Sequence, residues 1–239
     1  CADVPLLAIQ IAPSNLHWLS DAALENLSGA RGLRALRLNN TQVRGAGLVH
    51  LKDSEEISEL HLAGAPLKDL GLEHVSRMAK LTALSLAFTD ISDGGMAHLA
   101  GLTNLRSLDL AGTDLTNAGI TILEKLTGLE TLSLRHVRFT DEGLKPLSSL
   151  AGLKELDLAV TKLTDKGLQW LDPLQHLRKL NLDYTAISDE GLARLAKLPA
   201  LDCVTQRFLE YAARCAYAHR GDVQAHDRLA AEAAQRLAE

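Results

Sequence analysis

The stretch LRSLDLAGTDLTNAGITILEKLTG (residues 105–128) and its successor LETLSLRHVRFTDEGLKPLSSLAG (residues 129–152) share one 24-residue frame, and that frame decides the fold. The frame runs without a gap from Leu33 to Ala200. Its seven units open at Leu33, Ile57, Leu81, Leu105, Leu129, Leu153 and Leu177. Apolar residues fill the first, fourth and sixth places of each, as in Leu105, Leu108 and Leu110. A fixed period of this length predicts a solenoid, in which each unit buries its apolar side only against its neighbours.

Within one unit, L-x-L alternates with period two, as a short strand with one buried face does. The pairs that follow, such as Ser92-Asp93, Thr140-Asp141 and Thr164-Asp165, supply oxygens able to cap a new helical turn. Apolar residues then recur every third position, as in Leu144, Leu147 and Leu150, and turn one stripe of a short helix inward. The fifteenth place is glycine in every unit, from Gly47 to Gly191. A helical glycine costs roughly 1 kcal/mol relative to alanine, so its retention predicts close packing of the helix start against the strand layer. The ninth place carries Thr41, Thr89, Thr113, Thr161 and Thr185, with Ala65 and Val137 as exceptions. Those hydroxyls are expected to satisfy buried backbone groups, and local order is expected to be weaker, or water-assisted, at the two exceptions.

The L-x-x-L-x-L segments resemble those of the leucine-rich repeat superfamily. The sequel T-x-[LI]-[ST]-D-x-G-L is similar to that of a bacterial 24-residue subclass, related in pattern to the cysteine-containing repeats of F-box proteins. Threonine stands here where those families carry asparagine or cysteine. The resemblance covers residues 33–200 and, more loosely, residues 6–32. It implies an α/β solenoid with a curved right-handed parallel β-sheet on its concave face and short helices on its convex face. It also implies a recognition role, and it brings no catalytic residue.

Three regions follow. Residues 1–32 read as an irregular first repeat or cap, residues 33–200 as the seven regular repeats, and residues 201–239 as a last strand followed by an alanine-rich helical cap or tail. In the tail, Gly221-Asp222 divides two helices. Phe208, Leu209, Ala212 and Cys215 of the first are expected to cover the last repeat, and the second offers a surface for association. Cys203 and Cys215 read as a pair or as free buried thiols. Cys1-Ala2-Asp3 is compatible both with a lipid-modified cysteine of an envelope protein and with a fragment boundary. The compartment stays open between a bacterial cytoplasm and export. A net charge of −5 argues against nucleic acid as a partner. No apolar run reaches the ~18 residues of a transmembrane helix.

The third, fifth, seventh and eighth places point strand side chains away from the core. Alanines such as Ala87 and Ala111 make the N-terminal half of that face bland, giving room rather than grip. Exposed aromatics anchor interfaces, and the eighth-place column supplies Phe88, His136 and Tyr184. Beside them the fifth and seventh places supply Asp109, Ser133, Arg135, Asp157, Asn181 and Asp183. These nine residues are the expected binding site for a protein or peptide.

Other chemistry is not expected. His50, His74 and His98 stack on the convex side, but no carboxylate or cysteine completes a zinc shell, so no metal or cofactor is assigned. There is no phosphate-binding glycine loop, no H-E-x-x-H and no C-x-x-C. The leading expectation is a non-enzymatic recognition module. Beside it stand the substrate-recognition arm of a larger bacterial effector or ubiquitin-ligase adaptor, and a structural spacer or envelope lipoprotein.

Overall fold

The computed structural model describes residues 8–10 and 18–206. Cys1 and the expected C-terminal helices, with Phe208 and Cys215, lie outside them. Among the described residues, nine three-residue strands form a single sheet in chain order: β1 (Ala8–Gln10), β2 (Ala35–Arg37), β3 (Glu59–His61), β4 (Ala83–Ser85), β5 (Ser107–Asp109), β6 (Thr131–Ser133), β7 (Glu155–Asp157), β8 (Lys179–Asn181) and β9 (Cys203–Thr205). Every neighbouring pair is parallel, and from β2 to β8 the register advances by one whole repeat. Fourth-place leucines therefore lie side by side, Leu84 against Leu108 and Leu108 against Leu132. A slip of one residue would turn that whole row to solvent, which is why the register holds. The sheet is open, and among the described residues β1 and β9 each have one neighbour.

The core is a continuous leucine column behind the sheet. Leu36, Leu60, Leu108, Leu132 and Leu180 are at most 1% exposed, as are Leu48, Leu72, Leu123, Leu144 and Leu168 from the opposite wall. Each such side chain contributes roughly 2 kcal/mol by leaving water. No single globular centre exists, because each leucine packs within its own coil and the two beside it.

The return segments are mainly 3-10 turns: Asp21–Leu27, Ala46–Leu51, Asp141–Ser149 and Gly167–Leu171 are examples. Four-residue α-helices occur at Leu72–Val75, Asp93–Met96 and Asn117–Ile120, and a seven-residue one at Asp189–Leu195. The apolar stripe spaced by three suits a turn of 3.0 residues better than one of 3.6. A slim coil also stacks beside strands only ~4.8 Å apart, whereas an α-helix with side chains is ~10 Å across.

The fifteenth-place glycines are crowded from a different side than expected. A Cβ on Gly95, Gly119 or Gly191 would lie 2.5, 2.4 or 2.2 Å from Oδ1 of Asp69, Asp93 or Asp165 in the preceding coil. At these three the nearest obstacle is the neighbouring coil's thirteenth-place carboxylate, whereas at Gly71 and Gly167 it is the side chain of Leu67 or Leu163 in the same coil. That carboxylate links the coils. Asp93 Oδ1 accepts from the N–H groups of Thr116 (2.8 Å) and Gly119 (2.9 Å), while Oδ2 accepts from the Thr116 hydroxyl (2.6 Å). Asp69, Asp141 and Asp165 likewise accept from the backbone N–H and the hydroxyl of Ser92, Thr164 and Ser188, respectively. Asn117 repeats it with Thr140, accepting from the backbone and donating to the hydroxyl. The ladder skips Gly45, where φ is +111° and an added Cβ would strike the Gly71 Cα at 2.4 Å. Capping within a coil is the weaker half of the arrangement: Ser92, Thr116, Thr164 and Ser188 accept from amides two residues on at 3.2–3.4 Å.

The ninth-place threonines behave as expected. Thr41, Thr89, Thr113, Thr161 and Thr185 each donate a hydroxyl hydrogen bond of 2.6–2.8 Å to the carbonyl three residues earlier. At Ala65 and Val137 the residue's own N–H donates to that carbonyl, at 3.0 and 3.2 Å.

Candidate functional site

The sheet's outward face is built by a turn that recurs in every repeat. At the eighth place the N–H still bonds to the next coil's seventh carbonyl, as from Phe88 to Ala111 (2.6 Å) and from Val160 to Asp183 (2.7 Å). The chain then swings inward through a left-handed backbone. All seven eighth-place residues adopt it: Asn40, Gly64, Phe88, Gly112, His136, Val160 and Tyr184 have φ between 54° and 69°. Glycine suits such a position, and bulky or β-branched side chains are strained there by about 1–2 kcal/mol. The geometry nevertheless pushes those side chains out. Phe88 is 62% exposed and Tyr184 39% exposed, although the Phe88 ring lies across Gly112, where a Cβ would meet it at 2.4 Å. His136 and Arg135 are also exposed. Phe88 and Tyr184 stand four coils apart, roughly 19 Å by strand spacing.

The polar residues divide into two kinds. Asp109, Asp157 and Asn181 occupy one row at the ends of β5, β7 and β8, and each Oδ1 accepts the N–H two residues on, at 3.1, 2.9 and 3.0 Å. Their side chains therefore fix the turn as well as facing outward, half-buried. Asp109 also accepts from Ser85 (3.3 Å), and Asn181 from Thr205 (2.9 Å). Ser133 and Asp183 are half-buried on the same face. The structure thus brings all nine expected residues to one surface, with Phe88 and Tyr184 at its two ends.

Two features differ from the sequence expectation. Of the seventh-place alanines, Ala87, Ala111 and Ala159 are at most 5% exposed, so they are sealed and give a partner no room, while Ala63 is half-buried. The N-terminal end is also less bland than its alanines suggest. Glu59 of β3 accepts from Arg37 of β2 at 3.0 Å and lies 3.9 Å from the His61 imidazole. Burial pushes His61 below its ordinary value of 6.5, Arg37 adds to that, and Glu59 and Asp109 oppose it. Reading the third- and fifth-place columns through repeats one and two would have found this cluster.

Away from the sheet, a groove of ≈ 270 Å³ lies between the return segments of repeats one and two, beside Leu48, Leu51, Lys52, His74 and Met78. Among the described residues no group of three His, Cys, Asp or Glu side chains is placed to hold a metal. His50 instead approaches Ser28 at 3.3 Å. Cys203 is an exposed free thiol on β9, which corrects the expectation of a buried one. No helix among the described residues is long and apolar enough to cross a membrane.

Comparison with known proteins agrees with this architecture. One family model described as leucine rich repeat matches residues 127–187, and a second matches residues 77–100 and 101–121. No curated protein sequence matches the chain. Among solved structures it is similar to an internalin C2 from Listeria monocytogenes, at 31% identity and a TM-score of 0.66, over 80% of this chain and 77% of that one. It shares its fold with an internalin F of the same organism, at 20% identity and a TM-score of 0.56, over 79% of this chain and 64% of that one. Parallel strands one repeat apart, a leucine column behind them and these matches lead to one assignment: the chain belongs to the leucine-rich repeat superfamily.

Proposed function

We propose that the chain is a non-enzymatic recognition module that binds a protein or peptide on the outward face of its sheet, over repeats three to seven. Its fold is that of a protein-interaction module in general. One observation carries the finer reading: Phe88 and Tyr184 are exposed at turn positions whose left-handed backbone favours glycine. Stability alone would select glycine there, as at Gly64 and Gly112, so bulky aromatics call for a role outside the fold. In this reading Phe88 and Tyr184 are the apolar anchors, and His136 lies between them. Arg135, Asp109, Asp157 and Asp183 give charge complementarity, and Ser133 and Asn181 give hydrogen bonds.

The test is a Phe88→Ala/Tyr184→Ala double variant compared with the parent chain in affinity capture from native lysate. Circular dichroism verifies that both are folded. Loss of a saturable partner by the folded double variant is the expected result. Undiminished capture would remove the site from this face, and the absence of any saturable partner for the parent would make the chain a spacer.

A further inference from the structure

The fifth-place row changes character along the sheet. Arg37 and His61 stand at one end, Asp109 and Asp157 in the middle, and Asn181 and Thr205 at the other end. Among the described residues, Asp109 and Asp157 accept only from uncharged donors, namely the Ala111 and Ala159 amides and the Ser85 hydroxyl. Neither is in an ion pair among the described residues, so two negative charges stand two strands apart with neutral Ser133 between them. By strand spacing that separation is ~9.6 Å along the solenoid axis.

Resting on the face assigned above, we propose that the occupant is a cationic segment of a partner protein in polyproline II conformation, with basic residues at every third position over Asp109 and Asp157. The period selects this conformation. A polyproline II chain brings the same face round every three residues, after ~9.3 Å. In a β-strand same-face residues recur at ~6.7 and ~13 Å, and a helix of seven residues covers ~10.5 Å. Of the three, the first comes closest to the ~9.6 Å that separates Asp109 from Asp157. The rest of the face fits the same ligand. Aromatic side chains grip polyproline II ridges, and Phe88 and Tyr184 stand one coil outside each aspartate. The free carbonyls of such a chain need donors. Arg135 is exposed between the sealed Ala111 and Ala159, makes no ion pair among the described residues, and supplies a guanidinium on that flank.

A labelled peptide of repeated Pro-Pro-Arg triplets, titrated by fluorescence anisotropy at low salt against the whole chain, tests this. It should bind about tenfold more tightly than a peptide with arginine at every fourth position, and lose about tenfold with Asp109→Asn/Asp157→Asn. Asparagine keeps the turn, since Asn181 already accepts the Asp183 N–H at 3.0 Å in the same place. Equal binding by the two spacings, tighter binding by a helical peptide with arginine at every seventh residue, or full binding by the asparagine variant would overturn the proposal. If the triplet peptide does not bind while lysate capture still depends on Phe88 and Tyr184, this inference falls and the face stands. If capture is also independent of them, both fall.

Discussion

Val160 shows how a repeat can demand a backbone that its residue dislikes. Its φ is 58°, positive as at every eighth place, because the chain must leave the sheet there, whatever side chain it carries. For a β-branched residue that geometry is strained. Val160→Gly is expected to stabilise the fold by about 0.5–1 kcal/mol in urea titration, since relief of strain exceeds the added freedom of the unfolded chain. A loss of stability would mean that Val160 packs better than its half-exposed position indicates. His61 offers a second residue-scale test. Burial lowers its affinity for a proton below that of the unfolded chain, whose value is 6.5. The unfolded state therefore binds more protons as pH falls below that value, and stability drops through the folded value. His61→Gln should flatten the melting-temperature profile as pH falls below about 6.5, and an unchanged slope would count against the assignment.

At the scale of the element, coils are joined by more than sheet hydrogen bonds and leucines. The Asp93 carboxylate crosses to the next coil, where it meets two amides and a hydroxyl, and Gly119 leaves the space it needs. Charge-assisted bonds of this kind contribute about 1.5–3 kcal/mol when their donors are otherwise unmatched. Asp93→Ala is accordingly expected to cost about 2 kcal/mol in chemical denaturation. Asp93→Asn should cost less than about half of that, because Asn117 performs the same task one coil later. Equal losses for the two substitutions would show that charge, and not the bonding pattern, holds the coils. The glycine was visible in the sequence and its cause was not. The Ser-Asp and Thr-Asp pairs look local, yet their acidic members act 23 to 26 residues away.

For the whole molecule, stability is a sum over coils and their nearest-neighbour contacts. Removing residues 129–152, one full repeat, joins Gly128 directly to Leu153 and leaves the apolar frame in phase. Leu108 would then face Leu156 as it now faces Leu132. The shortened chain should fold with unchanged helical and strand signal per residue, and small-angle scattering should find it shorter by about one strand spacing, ~4.8 Å. Collapse of the deletion variant would show that the stack depends on more than its nearest neighbours.

How far the sequence reached can be read from particular residues. The leucine frame alone determined the parallel register, the open sheet and the exposed eighth-place column, because a period of 24 residues admits few ways to bury one apolar side against identical neighbours. It also carried the nine candidate residues onto one surface. Only the tertiary structure decided that the eighth place is left-handed, that Ala87, Ala111 and Ala159 are sealed, and that Arg37, Glu59 and His61 form a cluster at the N-terminal end. The first arises from the turn by which each coil leaves the sheet, and the cluster from contacts between neighbouring coils. A pattern read along the chain records which residues recur, whereas what each one touches is set across it.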